Sequence, residues 1–139
     1  MPSVTILAEF SLFPDNTRLG PQFTLNGYEF ADAGAPESFV NVSRTGTVKG
    51  LQFAAAGVRV TLPLETGSVQ VRAAAFGGEF LISGVDSAGN VLTQFTAPAD
   101  NQPHDYNVAH PGIKFVDFAG GGNEGTLLSI SITLDCADR

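Results

Sequence analysis

His104, Tyr106 and His110 form the densest group of chemistry-bearing side chains in this chain. Two imidazoles six residues apart, across a short extended segment, have the chemistry of an acid/base pair or of two metal ligands. No third ligand stands near them in sequence, so the expectation is hydrogen bonding rather than metal chemistry. Sugar recognition asks for something different: an aromatic platform, with amides, carboxylates or guanidinium groups to bond the hydroxyls. On that chemistry the candidate ligand-binding residues are Tyr28, Arg72, His104, Tyr106, Asn123 and Glu124, with Asn101 and Gln102 beside His104. The two tyrosines are the expected exposed aromatics. The chain has no Trp, which argues against a long polysaccharide-binding surface.

Catalytic constellations are missing. Glycoside hydrolysis needs two carboxylates held about 5–10 Å apart, and nothing in sequence pairs Glu37, Glu65, Glu79, Asp117 or Glu124. Asp117 shares the parity of Ile113 and Phe115, which points it inward unless a bulge turns it to solvent. No nucleophile elbow, phosphate loop or dinucleotide fingerprint appears. Gly120-Gly121-Gly122 precedes a strand pattern rather than a helix, so it does not cradle phosphate. The chain reads as non-enzymatic.

The elements that must position these residues are strands. Leu128, Ile130, Ile132 and Leu134 alternate with Ser129, Ser131 and Thr133, the period-2 pattern of a half-buried strand. With Ile113–Phe118 and the glycine-dense connection between them, this stretch organises the chain. Val4–Phe10, Gln22–Phe30, Ser38–Ser43, Val48–Phe53, Gly57–Leu62, Ser68–Phe76, Glu79–Val85, Val91–Phe95 and His104–Val108 read as further strands. Asn26-Gly27 makes either a tight hairpin or a bulge within the second of these. Asp86–Asn90 is a hairpin turn, and Pro63, lacking an N–H, is expected to end its strand. About ten short strands with no helical periodicity predict one all-β domain over residues 1–139. The expected form is an antiparallel β-sandwich of jelly-roll topology.

Composition narrows the partners. The 139 residues carry a net charge of −7 with seven Lys and Arg in all, which repels a phosphate backbone and excludes nucleic acid. No apolar run approaches the roughly 20 residues needed to span a bilayer as a helix, so no membrane insertion is expected. Glu9 interrupts the first apolar run, and no signal peptide is read there; an extracellular or virion-associated location stays open. A single cysteine, Cys136, makes an intrachain disulfide impossible.

Gly57–Pro63, Ser83–Val91 and Gly112–Phe118 followed by Gly120–Glu124 together resemble the galactose-binding-like and carbohydrate-binding-module class of jelly-roll sandwiches. The resemblance implies a non-catalytic, lectin-like module. It also implies a structural calcium ion near one sheet edge, held by an acid at the end of the first strand and one in the last. Glu9 and Asp135 match those two positions. Calcium takes six to eight oxygens, so carbonyls or Asp32 would have to complete the shell.

Two functional expectations follow. The first is a carbohydrate-binding module. The alternative is a structural or assembly protein, such as a virion decoration or tail protein or a surface-layer subunit, that self-associates. In that case Phe13 and Phe39 would be buried between subunits.

Overall fold

Period-2 alternation becomes ten antiparallel strands in the computed structural model, which describes residues 3–42, 46 and 48–135. They are β1 (Ser3–Glu9), β2 (Gln22–Leu25), β3 (Tyr28–Asp32), β4 (Phe39–Val42), β5 (Lys49–Phe53), β6 (Val58–Ala75), β7 (Phe80–Val85), β8 (Val91–Ala97), β9 (His104–Gly120) and β10 (Gly125–Asp135). Among the described residues there is no α-helix, and one 3-10 turn, Gly121–Asn123, joins β9 to β10. Cys136, Ser43 and Thr45 lie outside the described residues.

All strands join one hydrogen-bonded sheet in the order β4-β5-β10-β6-β9-β7-β8. β1 pairs with β10, and the β2–β3 hairpin pairs with β6. The hairpin reading of Asn26-Gly27 is the one realised: φ is 50° and 86° at the two residues, the doubly positive signature of a type I′ turn.

Two expectations are corrected. Gly57–Leu62 and Ser68–Phe76 are not separate strands but parts of the 18-residue β6; His104–Val108 and Ile113–Phe118 likewise merge into the 17-residue β9. Pro63 does not end its strand, because it falls where the β6–β9 register breaks between Thr61 and Thr66. A bulge has no ladder bond for a proline to remove. In the sheet, β6 lies between β9 and β10.

The bulge is also a fold line. Eighteen extended residues would span roughly 60 Å. Yet Gly125 pairs with Ala75 at one end of β6 and with Phe53, five residues before the other end. β6 therefore doubles back at Pro63–Gly67, and β9 turns with it at Pro111-Gly112. The two halves of the sheet close on one core. Val58, Val60 and Leu62 from one arm of β6 share it with Val69, Val71 and Ala73 from the other. Phenylalanine fills the space. Phe23 stacks on Phe30 at 4.5 Å with Phe10 edge-on at 5.6 Å to Phe30, and Phe53, Phe80 and Phe118 form a second group. Phe13 packs against Phe10 at 6.2 Å, so it already serves this chain's own core.

Gly84 is a point of close approach between strands. A Cβ there would lie 2.9 Å from Val108 Cγ1, 3.1 Å from Thr93 Cγ2 and 3.3 Å from Ile113 Cδ1. These are ends of side chains, which can shift at a cost, so Gly84→Ala should destabilise by about 1–3 kcal/mol through overpacking. A urea midpoint unchanged from wild type would contradict this close approach.

Candidate functional site

The β6–β9 register decides which polar residues meet. It sets Val71 opposite Tyr106, Arg72 opposite Asp105 and Ala73 opposite His104. Successive side chains on a strand alternate faces. Arg72 and Asp105 therefore stand on the outer face, while His104 and Tyr106 lie on the core side of the strand. Among the described residues β9 has β6 as its sole sheet partner along this stretch, so both faces open onto the same rim.

On the core side, the Pro98–Pro103 segment leads into β9, and Asn101 donates its N–H to the Ala75 carbonyl. That bond brings Asp100 Oδ2 to 2.6 Å from His104 Nε2. The His104 and Tyr106 rings meet edge-to-face at 6.4 Å. The hydrogen bond from His104, with a further one from the Gln102 N–H, holds the Asp100 carboxyl below the usual carboxylate range. Partial burial, and then the negative charge of Asp100, push the Tyr106 phenol up, so it stays a neutral hydrogen-bonding group. The result is a half-exposed aromatic with an imidazole and a carboxylate beside it.

On the outer face, Arg72 Nη1 bonds Asp105 Oδ1 at 3.0 Å. One ladder step along, Asn107 Oδ1 accepts from Ser68 Oγ at 2.8 Å and from Gln70 Nε2 at 2.9 Å. The register extends this polar row across β10 and β1, through Ser129 opposite Arg72 and Glu9 opposite Ser129. Both partners of the Arg72–Asp105 pair are largely exposed, so it adds little stability and its groups remain free to exchange partners.

The other candidates separate from this rim. Tyr28, expected on the surface, is fully buried; its hydroxyl donates to the Ile6 carbonyl at 2.5 Å. It sits in β3 with its ring in the core, because the Asn26-Gly27 turn sets it opposite Leu25 on the inward face. Asn123 is committed to its own loop: its Oδ1 accepts the Ala55 N–H at 2.7 Å and its carbonyl accepts from Gln52 Nε2. Glu124 is exposed but leans toward Gly77, on the order of 10–15 Å from His104 by strand spacing.

Glu9 and Asp135 do not meet. β1 and β10 run antiparallel with Glu9 opposite Ser129 and Asp135 opposite Ser3. Six strand residues, roughly 20 Å, separate the two positions. Asp32 is engaged elsewhere, accepting the N–H and hydroxyl of Ser38. Among the described residues no three His, Cys, Asp or Glu side chains gather as a metal set.

Asp117 points outward rather than inward: it lies in the regular part of the β6–β9 ladder, which buries Val116 and Phe118 on either side of it. It holds Arg59 through two bonds of 2.8 Å, and the guanidinium lies 4.5 Å from the Phe115 ring centre. Sequence reasoning missed Asp100 and Asp105. Asp100 was findable, four residues before His104; Asp105 meets Arg72 only through a register that sequence does not print. No helix among the described residues is long and apolar enough to cross a membrane. No protein-family model matches the chain, and no curated protein sequence matches it.

Proposed function

We propose that this protein is a non-catalytic carbohydrate-binding module of the galactose-binding-like kind, its folded-over sheet being a jelly-roll sandwich. The observation that carries the reading is the Asp100–His104–Tyr106 cluster. It combines a half-buried aromatic ring with a carboxylate and an imidazole, the set that a sugar's apolar face and hydroxyls require. Arg72 and Asp105, around the edge of the same strand, supply further hydrogen-bonding groups. Its polar side chains are largely exposed, so the site suits one or two sugar units bound weakly rather than a buried ligand. Neither carboxylate of the rim faces another across a cleft, so the reading includes no hydrolysis.

Isothermal titration with mono- and disaccharides tests it, guided by a glycan array and run with and without calcium. Tyr106→Ala should weaken binding by roughly tenfold or more, the worth of one stacked aromatic. Arg72→Ala should weaken it less. An array without hits in either condition removes the proposal, as does binding that survives Tyr106→Ala unchanged.

A further inference from the structure

An ionised carboxylate only accepts hydrogen bonds, and so does the unprotonated nitrogen of a neutral imidazole. The rim at the start of β9 is built mostly of such groups. Asp100 takes one bond on each carboxylate oxygen, from His104 Nε2 and from the Gln102 N–H. Each oxygen keeps a second acceptor position. The Asp100 side chain is 42% exposed, so a ligand can reach it. Because the carboxylate cannot donate, the proton between the pair belongs to His104 Nε2. In the neutral ring that leaves Nδ1 as a second acceptor, and among the described residues no hydrogen bond reaches it. Tyr106 stands beside them, its ring edge-to-face with the imidazole. Around the strand edge Asp105 adds another carboxylate, 75% exposed.

Arg72 is the cation set against these acceptors, and Asp105 already neutralises it at 3.0 Å. Charges farther out do not redress the balance. Glu9 lies on the same outer row two strands away, and Glu124 stands on the order of 10–15 Å from His104. The chain as a whole carries −7.

We propose that the ligand of this rim is a cationic sugar, a hexosamine unit with a free protonated amine rather than an acetylated or acidic one. This ligand class rests on the carbohydrate-binding reading of the same site. An ammonium group has three donors and no acceptor, the complement of Asp100 and His104 Nδ1. Its bonds to a carboxylate are charge-assisted, roughly twice as strong as neutral ones. The face of an aromatic ring attracts a cation too, so Tyr106 selects the same group over a hydroxyl. An N-acetyl amide keeps one donor and no charge. A uronic acid sets acceptors against acceptors and is repelled by the field of the whole chain.

The test is isothermal titration of the whole chain at about pH 7, where an amine is still largely protonated and a histidine of ordinary pKa mostly neutral. The probes are the glucosamine disaccharide, its N-acetylated counterpart and a uronic-acid disaccharide. The amine should bind about 3–10-fold tighter than the acetylated sugar, with the uronic acid weakest. Asp100→Asn keeps an acceptor for His104 and removes the charge, so the ratio of the first two affinities should fall toward one. Raising salt from about 20 mM to about 500 mM should shrink the same ratio in wild type, and this decides should the variant fold poorly. An acetylated or acidic sugar bound as tightly as the amine overturns the proposal and leaves the carbohydrate-binding reading standing. A preference that neither Asp100→Asn nor salt reduces overturns it as well. Failure of every sugar, on a glycan array as in titration, removes both together.

Discussion

Gly57→Ala should lower this protein's stability by more than about 3 kcal/mol and the melting temperature by about 10 °C or more. Two costs add at this position. Gly57 has φ = +102°, a backbone conformation that L side chains rarely adopt. A Cβ there would also press into the Phe118 carbonyl oxygen, and would lie 3.2 Å from the Ala119 Cα. Both neighbours are backbone, so neither can swing aside as a side-chain tip does. The turn matters beyond itself: the Gly57 carbonyl accepts from Ala33, and Ala55 accepts from Gly120, so three connections are tied together here. Gly89→Ala is the matched control. Its φ is +90° with nothing within 4 Å of the added methyl, so it should cost only the backbone strain of about 1 kcal/mol. Thermal melts of the two variants separate clash from strain. If Gly57→Ala melts no lower than Gly89→Ala, the close packing against Phe118 is wrong.

Tyr28→Ala should cost about 3–5 kcal/mol, and Tyr28→Phe about 1–2 kcal/mol. The first removes a fully buried ring from the core; the second leaves the Ile6 carbonyl without its donor. The phenol gives the same residue a pH signature. Burial pushes its pKa up from 10.0 to about 12, with the Ile132 backbone offsetting part of the rise. In the unfolded chain it ionises near 10, so above that pH the unfolded state releases a proton that the native state keeps. The contribution is fully present below pH 10 and is lost as pH rises toward about 12. Denaturant midpoints should therefore fall across that window, by about 2–3 kcal/mol at its upper end, and Tyr28→Phe should remove most of the fall. A midpoint flat from pH 9 to 12 in wild type would show the hydroxyl to be solvated.

Alternation along the chain carried the reading a long way. Val58, Val60 and Leu62 face inward and Arg59 outward as their parity requires, and the last strand buries Ile130 and Ile132 between hydroxyl residues. Turn chemistry was legible wherever it is local: Asp86 caps its own loop through the Ala88 and Asn90 N–H groups. The strand end was misread at Pro63, because a proline signals a missing donor without saying whether that donor was needed. Asp117 was misread for a related reason: its parity was counted from Ile113, which lies at the register break, while the regular ladder beyond it buries Val116 and Phe118.

The site shows the same division. That His104 and Tyr106 lie close together follows from their spacing on one strand, and that much is in the residues alone. Arg72 meeting Asp105, Tyr28 sinking into the core, and Glu9 standing roughly 20 Å of strand away from Asp135 were decided by pairing between segments far apart in sequence. Side-chain alternation is a local steric property of each strand, so sequence determined the all-β class and most inward faces. Strand order and register minimise exposed apolar area over the whole chain at once, so tertiary packing alone chose which polar residues share the rim.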